Sequence, residues 1–164
     1  MQAPPSNHSV LKEYGDTFVG VWVNEETADF ELKDIVKKGD KVSVRVTKEW
    51  SLNKNVVNSH WTADVNGVRV ASGQGMTGWD TSAKQIVGFG FNSLGGSGRG
   101  VIQKRGDKWF DSGMGSSRTG NVGANMTIIT VVTADTHKAL KIGRVSPAGE
   151  PLPNRTRTWK RVKK

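Results

Sequence analysis

The sequence contains no cysteine, which removes disulfides, thiolate nucleophiles and thiolate metal ligands together. This absence leaves the compartment open, because a chain without cysteine can fold in either redox environment. Proline is scarce, with five residues. No apolar run approaches the roughly 18 residues that a membrane-spanning helix needs. The sequence therefore predicts no membrane span, and its 164 residues suffice for one domain with a core of its own.

Groupings typical of catalysis or metal binding are also missing. The three histidines, His8, His60 and His137, are far apart in sequence, and none has Asp or Glu at ligand spacing, so no metal site is predicted. The acidic residues are out of phase with the apolar faces of their strands, and no Gly-x-Ser-x-Gly elbow links a strand to a helix. We therefore predict no catalytic residue, and we lean against an enzyme without excluding one.

Charge is concentrated at the C-terminus. The formal charge is +9, and six basic residues fall within the last ten, leaving +3 for the remainder. A dedicated nucleic-acid binder would instead show a basic stripe with interleaved aromatic residues. We expect a structural terminal strand, with binding to nucleic acid weak and non-specific at most. An anionic partner that contacts this basic end is the alternative.

Short runs of β-branched and aromatic residues alternate with polar ones between Gly, Asn and Asp turns. Asn66-Gly67 is the strongest hairpin signal. We predict an all-β chain of about ten strands, including a strand over Ala28 to Val36. The exception is a short N-terminal helix over Ser9 to Gly15, capped by Ser9 and ended by Gly15. Regular short strands are typical of a sandwich or a barrel.

One face of the predicted strands has the composition of a binding cavity, with apolar walls and a few polar anchors. A barrel of this size is either filled by its own side chains or holds one small ligand, and the sequence leaves both open. If it is hollow, the expected ligand is small and apolar or amphipathic. The expected walls are Trp61, Phe89, Phe91 and Met126, and the expected anchors are Ser59, Ser72 and Gln74.

Three stretches carry a resemblance to a known family. They are Asn7 to Leu11 leading to Gly20-Val21-Trp22, then Thr77-Gly78-Trp79-Asp80 followed by Phe91 to Gly96, and finally Gly149 to Pro153 before Lys160-Arg161. Together they resemble a bacterial lipocalin-like (calycin-type) β-barrel domain of uncharacterised function, found alone or behind SnoaL-type domains. The resemblance covers nearly the whole chain.

The resemblance implies a single closed antiparallel barrel with a small-molecule or lipid-like ligand and no established reaction. It implies that Gly20 and Trp22 form a plug at the closed end, covered by Arg157 or Arg161. Some barrels of this general kind bind haem through a late histidine. Here the motif continues Val23-Asn24-Glu25 without the glycine repeats of those proteins, so we expect no cofactor, at His137 or elsewhere.

We treat residues 1–164 as one domain, with residues 1–8 flexible and 163–164 frayed. The localisation is cytoplasmic as the sequence stands, or periplasmic or secreted if a signal peptide was removed. The oligomeric state is left open. A surface interaction protein that uses the basic end, or a cavity enzyme of unknown reaction, stands as the alternative function.

Overall fold

The computed structural model describes residues 8–32, 34–143 and 153–163. Its described part is a closed antiparallel barrel in the order β1-β10-β9-β8-β7-β6-β5-β4-β3-β2, so the predicted all-β barrel is confirmed. The elements are α1 (Ser9–Phe18), β1 (Gly20–Thr27), β2 (Lys41–Ser51), β3 (Val56–Val65), β4 (Val68–Asp80), β5 (Gln85–Asn92), β6 (Ser97–Arg105), β7 (Lys108–Ser116), β8 (Val122–Thr133), β9 (Thr136–Ile142) and β10 (Arg155–Arg161).

The N-terminal helix begins at Ser9 as predicted, but it is longer than predicted, and its predicted cap and C-terminal end are wrong. Ser9 is the first helical residue, and His8 precedes it without a side-chain cap. Gly15 lies inside the helix and does not end it. A Cβ atom at Gly15 would overlap the indole of Trp50, so glycine is needed there for close packing of the helix on β2. The extra turn brings Phe18 into the core, where it is 2% exposed.

The predicted strand over residues 28–36 is also wrong. The described residues of this segment, 28–32 and 34–36, form bends and a turn with an isolated bridge between Leu32 and Val36, and Asp34 has a φ of 62°. Its alternating apolar residues serve packing instead of strand pairing. Ala28 and Val36 are buried against the inward-facing Val42, Val44 and Val65. The segment therefore fills the barrel beside β2, and ten strands remain in the described chain.

Arg161 covers the Trp22 ring where the first and last strands meet. Trp22 is 3% exposed and donates a hydrogen bond from Nε1 to the carbonyl of Phe18 at 2.8 Å. The guanidinium carbon of Arg161 lies 4.3 Å from the centre of the Trp22 ring. Gly20 has a φ of 133°, and a Cβ there would lie 2.6 Å from Nη1 of Arg161. The Gly-x-Trp spacing thus provides a strained backbone position, open space for an arginine, and the ring that it covers.

The main core lies at this same end of the barrel. Leu11, Tyr14 and Phe18 of α1 pack against Ile86 and Trp109 of the barrel wall. Trp109 and Ile86 are 1% and 0% exposed. The helix therefore closes one end of the barrel.

Most of the predicted flexible N-terminus, residues 1–7, lies outside the described residues, as does Lys164 at the other end. The described His8 stacks on Trp79. Among the described residues, no helix has the length and apolar composition to cross a membrane.

Replacing Trp22 with alanine should lower the free energy of unfolding by about 3–5 kcal/mol, because it removes a buried aromatic ring and the surface on which Arg161 rests. Urea titration followed by circular dichroism would measure the change. Lys160→Ala is the matched control, since Lys160 is exposed on the same strand as Arg161. Equal stabilities of the two variants would contradict this account of the plug.

Candidate ligand cavity

The structure divides the predicted ligand-binding residues between the two faces of the barrel wall. Ser59 and Trp61 share the inward face of β3 with buried Val57. Phe89 and Phe91 point outward and are 59% and 73% exposed, so their predicted inward placement is wrong. By strand alternation and register, the other outward residues of the predicted set are Ser72, Gln74 and Met126.

Glycine occupies the inward positions that the aromatic residues were expected to take. Gly73 and Gly75 of β4 pair with Trp61 and Ser59, and Gly90 of β5 pairs with Gly75. A Cβ at Gly75 or Gly90 would lie 2.9 Å from a carbonyl oxygen of the neighbouring strand. At these positions the wall curves so tightly that no inward side chain fits without displacing the neighbouring strand.

These glycines leave space inside the barrel. A cavity of about 430 Å³ extends along the inward face from β2 to β9, within the range of known small-ligand sites. Trp61 and Ile102 give it an apolar side. The inward polar side chains that line it are Tyr14, Lys48, Ser59, Thr77, Asn92, Asp111, Asn125 and Lys141. The barrel is thus filled at the helix end and open in its middle.

Lys48 and Asp111 are inward charges that line the cavity, and neither was predicted as a site residue. Lys48 donates a hydrogen bond from Nζ to the Tyr14 hydroxyl at 2.6 Å and lies 4.9 Å from the centre of that ring. Burial raises the pKa of the Asp111 carboxyl, and the positive charges of Lys48 and Lys141 oppose that rise. The cavity is therefore lined by two lysines, Lys48 and Lys141, and by the carboxyl of Asp111, which is partly shielded from water.

Alternation alone could have placed Lys48 inside the barrel. It stands between Val46 and Trp50 in a run whose every second residue is apolar. A charged residue that shares the inward face with apolar residues indicates a functional position inside the barrel, because an unpaired charge is costly to bury. The same rule finds Asp111 between Trp109 and Gly113 on β7.

The arginines of the basic C-terminal end form contacts within the barrel. Arg155 and Arg157 point inward and lie 3.0 and 3.1 Å from Oε1 of Glu26. Burial lowers the pKa of Arg157, and the Glu26 carboxylate opposes that effect. Both arginines line a second hollow of about 270 Å³, which shares Lys141 with the first cavity. Lys160 remains outward, as predicted; nucleic-acid binding stays a prediction.

His137 lies on the inward face, where it packs against Trp22 and Phe18 at the closed end. It is 8% exposed, with its ring centre 4.4 Å from that of Trp22 and 5.6 Å from that of Phe18. Burial lowers the pKa of His137 to about 4, and the nearby charges of Lys48 and Arg161 lower it further. Its Nδ1 atom is buried with no hydrogen-bond partner in the described structure. The imidazole therefore acts as a neutral packing group here.

Within the described ranges, no three His, Asp or Glu side chains are grouped closely enough to hold a metal ion. No protein-family model matches the sequence, and no curated protein is significantly similar to it. The closed ten-stranded barrel is compatible with a lipocalin-like fold.

The state of His137 predicts how stability depends on pH. Its pKa is about 4 in the folded protein and about 6.5 when unfolded, so the unfolded chain binds more protons between these values. Stability is therefore lost as the pH falls from 6.5 towards 4. Between pH 7 and pH 5 the loss should be on the order of 2 kcal/mol. Urea titrations of the protein and of His137→Gln at both pH values would measure it.

The His137→Gln variant serves as the comparison because it keeps a polar side chain but cannot titrate. Its stability should change less between the two pH values than that of the parent protein. The same pH dependence in both proteins would show that other groups cause it.

Proposed function

We propose that this protein binds a small amphipathic ligand inside its barrel, in the cavity that begins beside the packed helix α1. The cavity of about 430 Å³ supports the proposal most directly, because its lining combines apolar and polar side chains. The apolar part of a ligand would contact Trp61 and Ile102. Its polar part would face Lys48, Asn125 and Lys141.

The charges of the cavity favour a ligand whose polar group is anionic. Among the charged residues whose side chains point into the cavity, two lysines, Lys48 and Lys141, outnumber one carboxylate, Asp111. The raised pKa of Asp111 shows that its charged form is disfavoured by burial. An incoming anion would therefore meet a net positive site with little water to screen it.

The proposal also includes a lipocalin-like (calycin-type) relationship. The arrangement of Gly20, Trp22 and Arg161 at the closed end supports it, since the sequence resemblance implies this arrangement. A ligand inside the barrel is consistent with such a relationship. The proposal is limited to binding and includes no reaction.

Binding can be tested with 8-anilinonaphthalene-1-sulfonate, a fluorescent probe that has an apolar ring system and one sulfonate. We expect saturable binding of one molecule per chain. Lys141→Glu should weaken binding about tenfold or more, because a hydrogen bond to a charged group contributes about 1.5–3 kcal/mol. Lys141 is exposed, so the substitution should leave the fold intact.

Lys138→Glu is the matched control. It changes the net charge by the same amount on the same strand, but Lys138 points outward and is exposed. Its affinity for the probe should stay within about twofold of the parent value. Equal effects of both variants would place the probe outside the cavity, and absence of saturable binding would contradict the proposal. Native mass spectrometry of freshly purified protein would detect a retained ligand.

A further inference from the structure

The outward residues of β4, β5 and β7 form an apolar surface that the ligand cavity does not explain. We define the outer apolar surface as Met76, Phe89, Phe91 and Met114, which are 56%, 59%, 73% and 48% exposed. Their strands adjoin one another, apart from β6, which contributes Arg99 between Phe89 and Met114. Large apolar side chains grouped in this way on a protein surface mark an interaction site.

Phe89 and Phe91 form a ridge between two outer grooves. One groove, of about 530 Å³, lies over β2, β3 and β4, and its far side is formed by Glu49, Asn58 and His60. The other groove, of about 410 Å³, lies over β6, β7 and β8. Phe89 lines both grooves. A ridge beside a groove of similar length is the shape that a second copy of the same surface can complement.

We propose that the outer apolar surface is the interface of a symmetric dimer of this chain. The two-fold axis lies between the facing outer surfaces of the two copies. It is parallel to β4 and passes close to Met76. Each ridge then enters the first groove of the other copy. Phe89 lies over Asn58 and Phe91 over His60, because the two pairs are equally spaced about β4 in the strand register.

The charges flanking this surface agree with the same axis. Glu49, Asn58, Met76, Phe89 and Arg99 form one continuous row across five neighbouring strands. Met76 is its middle member, so rotation about β4 places Glu49 of one copy opposite Arg99 of the other. Each charge is about 10 Å from the axis, at two strand spacings. Both residues are exposed, and within the described residues neither forms an ion pair.

The size of the surface suits a stable dimer. The four apolar side chains expose on the order of 400–500 Å² together, judged from the area of large side chains. A stable interface buries about 800 Å² on each partner, and its centre is apolar while its rim is polar. Glu49, Asn58, His60 and Arg99 would supply the polar rim. The apolar side chains thus supply about half of the area that a stable interface needs on each partner, and a second copy suits the shape and the charge of this surface.

The first test is the oligomeric state of the whole chain by sedimentation velocity across a dilution series. We expect a dimer that dissociates on dilution. Phe91→Glu should weaken the dimer about thirtyfold or more, since central aromatic residues dominate interface energy. Phe91 is 73% exposed, and an unchanged thermal transition of the diluted monomer would confirm that the fold is intact. A monomer at every concentration would overturn the proposal, leaving the surface to another partner.

The second test is a charge exchange. Glu49→Arg and Arg99→Glu should each weaken the dimer about tenfold by placing like charges opposite one another. The double variant restores opposite charges and should recover the parent dissociation constant to within about threefold. Losses that simply add in the double variant would overturn the assignment of the axis to β4.

The third test uses the absence of cysteine from the chain. Met76→Cys introduces one thiol per copy, beside the proposed axis. A bifunctional thiol reagent with a span of about 10 Å should then link the two copies, because packed sheets lie about 10 Å apart. Thr158→Cys, exposed on β10 on the opposite side of the barrel, should give little linked dimer. Equal yields from both variants would overturn the proposed arrangement.

Discussion

Arg161 makes the largest set of side-chain contacts where the barrel closes. It donates hydrogen bonds to the carbonyls of Thr17, Val19 and Ala134, and its guanidinium lies over the Trp22 ring. These contacts join the end of the helix, the turn between β8 and β9, and the seam between the first and last strands. That seam has only two paired positions, so backbone pairing alone holds it weakly. The positive charge also lies where the helix dipole is negative.

The helix depends on this closure for its position, and the cavity depends on the helix. Because α1 is fixed over Trp109 and Ile86, it fills one end of the barrel and stops there. Tyr14 is the residue through which this packed end meets the polar interior, since its ring lies in the core and its hydroxyl accepts a hydrogen bond from Lys48. The helix therefore closes one end of the cavity and, through Tyr14, orients Lys48.

The inward glycines connect the cavity to the outer apolar surface. At Gly75 and Gly90 the curvature of the wall leaves no room for an inward side chain. The alternation of each strand then places Met76 and Phe89 on the outside. The same glycine pattern thus produces both the cavity inside the barrel and the apolar surface on its outside. In the proposals above, one holds a ligand and the other a second copy of the chain.

Local sequence determined much of this protein. Alternation and turn residues such as Asn66-Gly67 predicted the strands, and the family resemblance implied a closed end formed by Gly20, Trp22 and a late arginine. Alternation could also have revealed Lys48, whose phase matches that of its buried neighbours. What the pattern could not determine was which face of β5 is the inner one. Apolar Phe89 and Phe91 suggested the inside by hydrophobicity, whereas wall curvature, which arises from the packing of several strands together, decided against them. Residues 28–36 show the same limit, because their alternation satisfies a packed turn as well as a strand, and only the barrel beside them decided between the two.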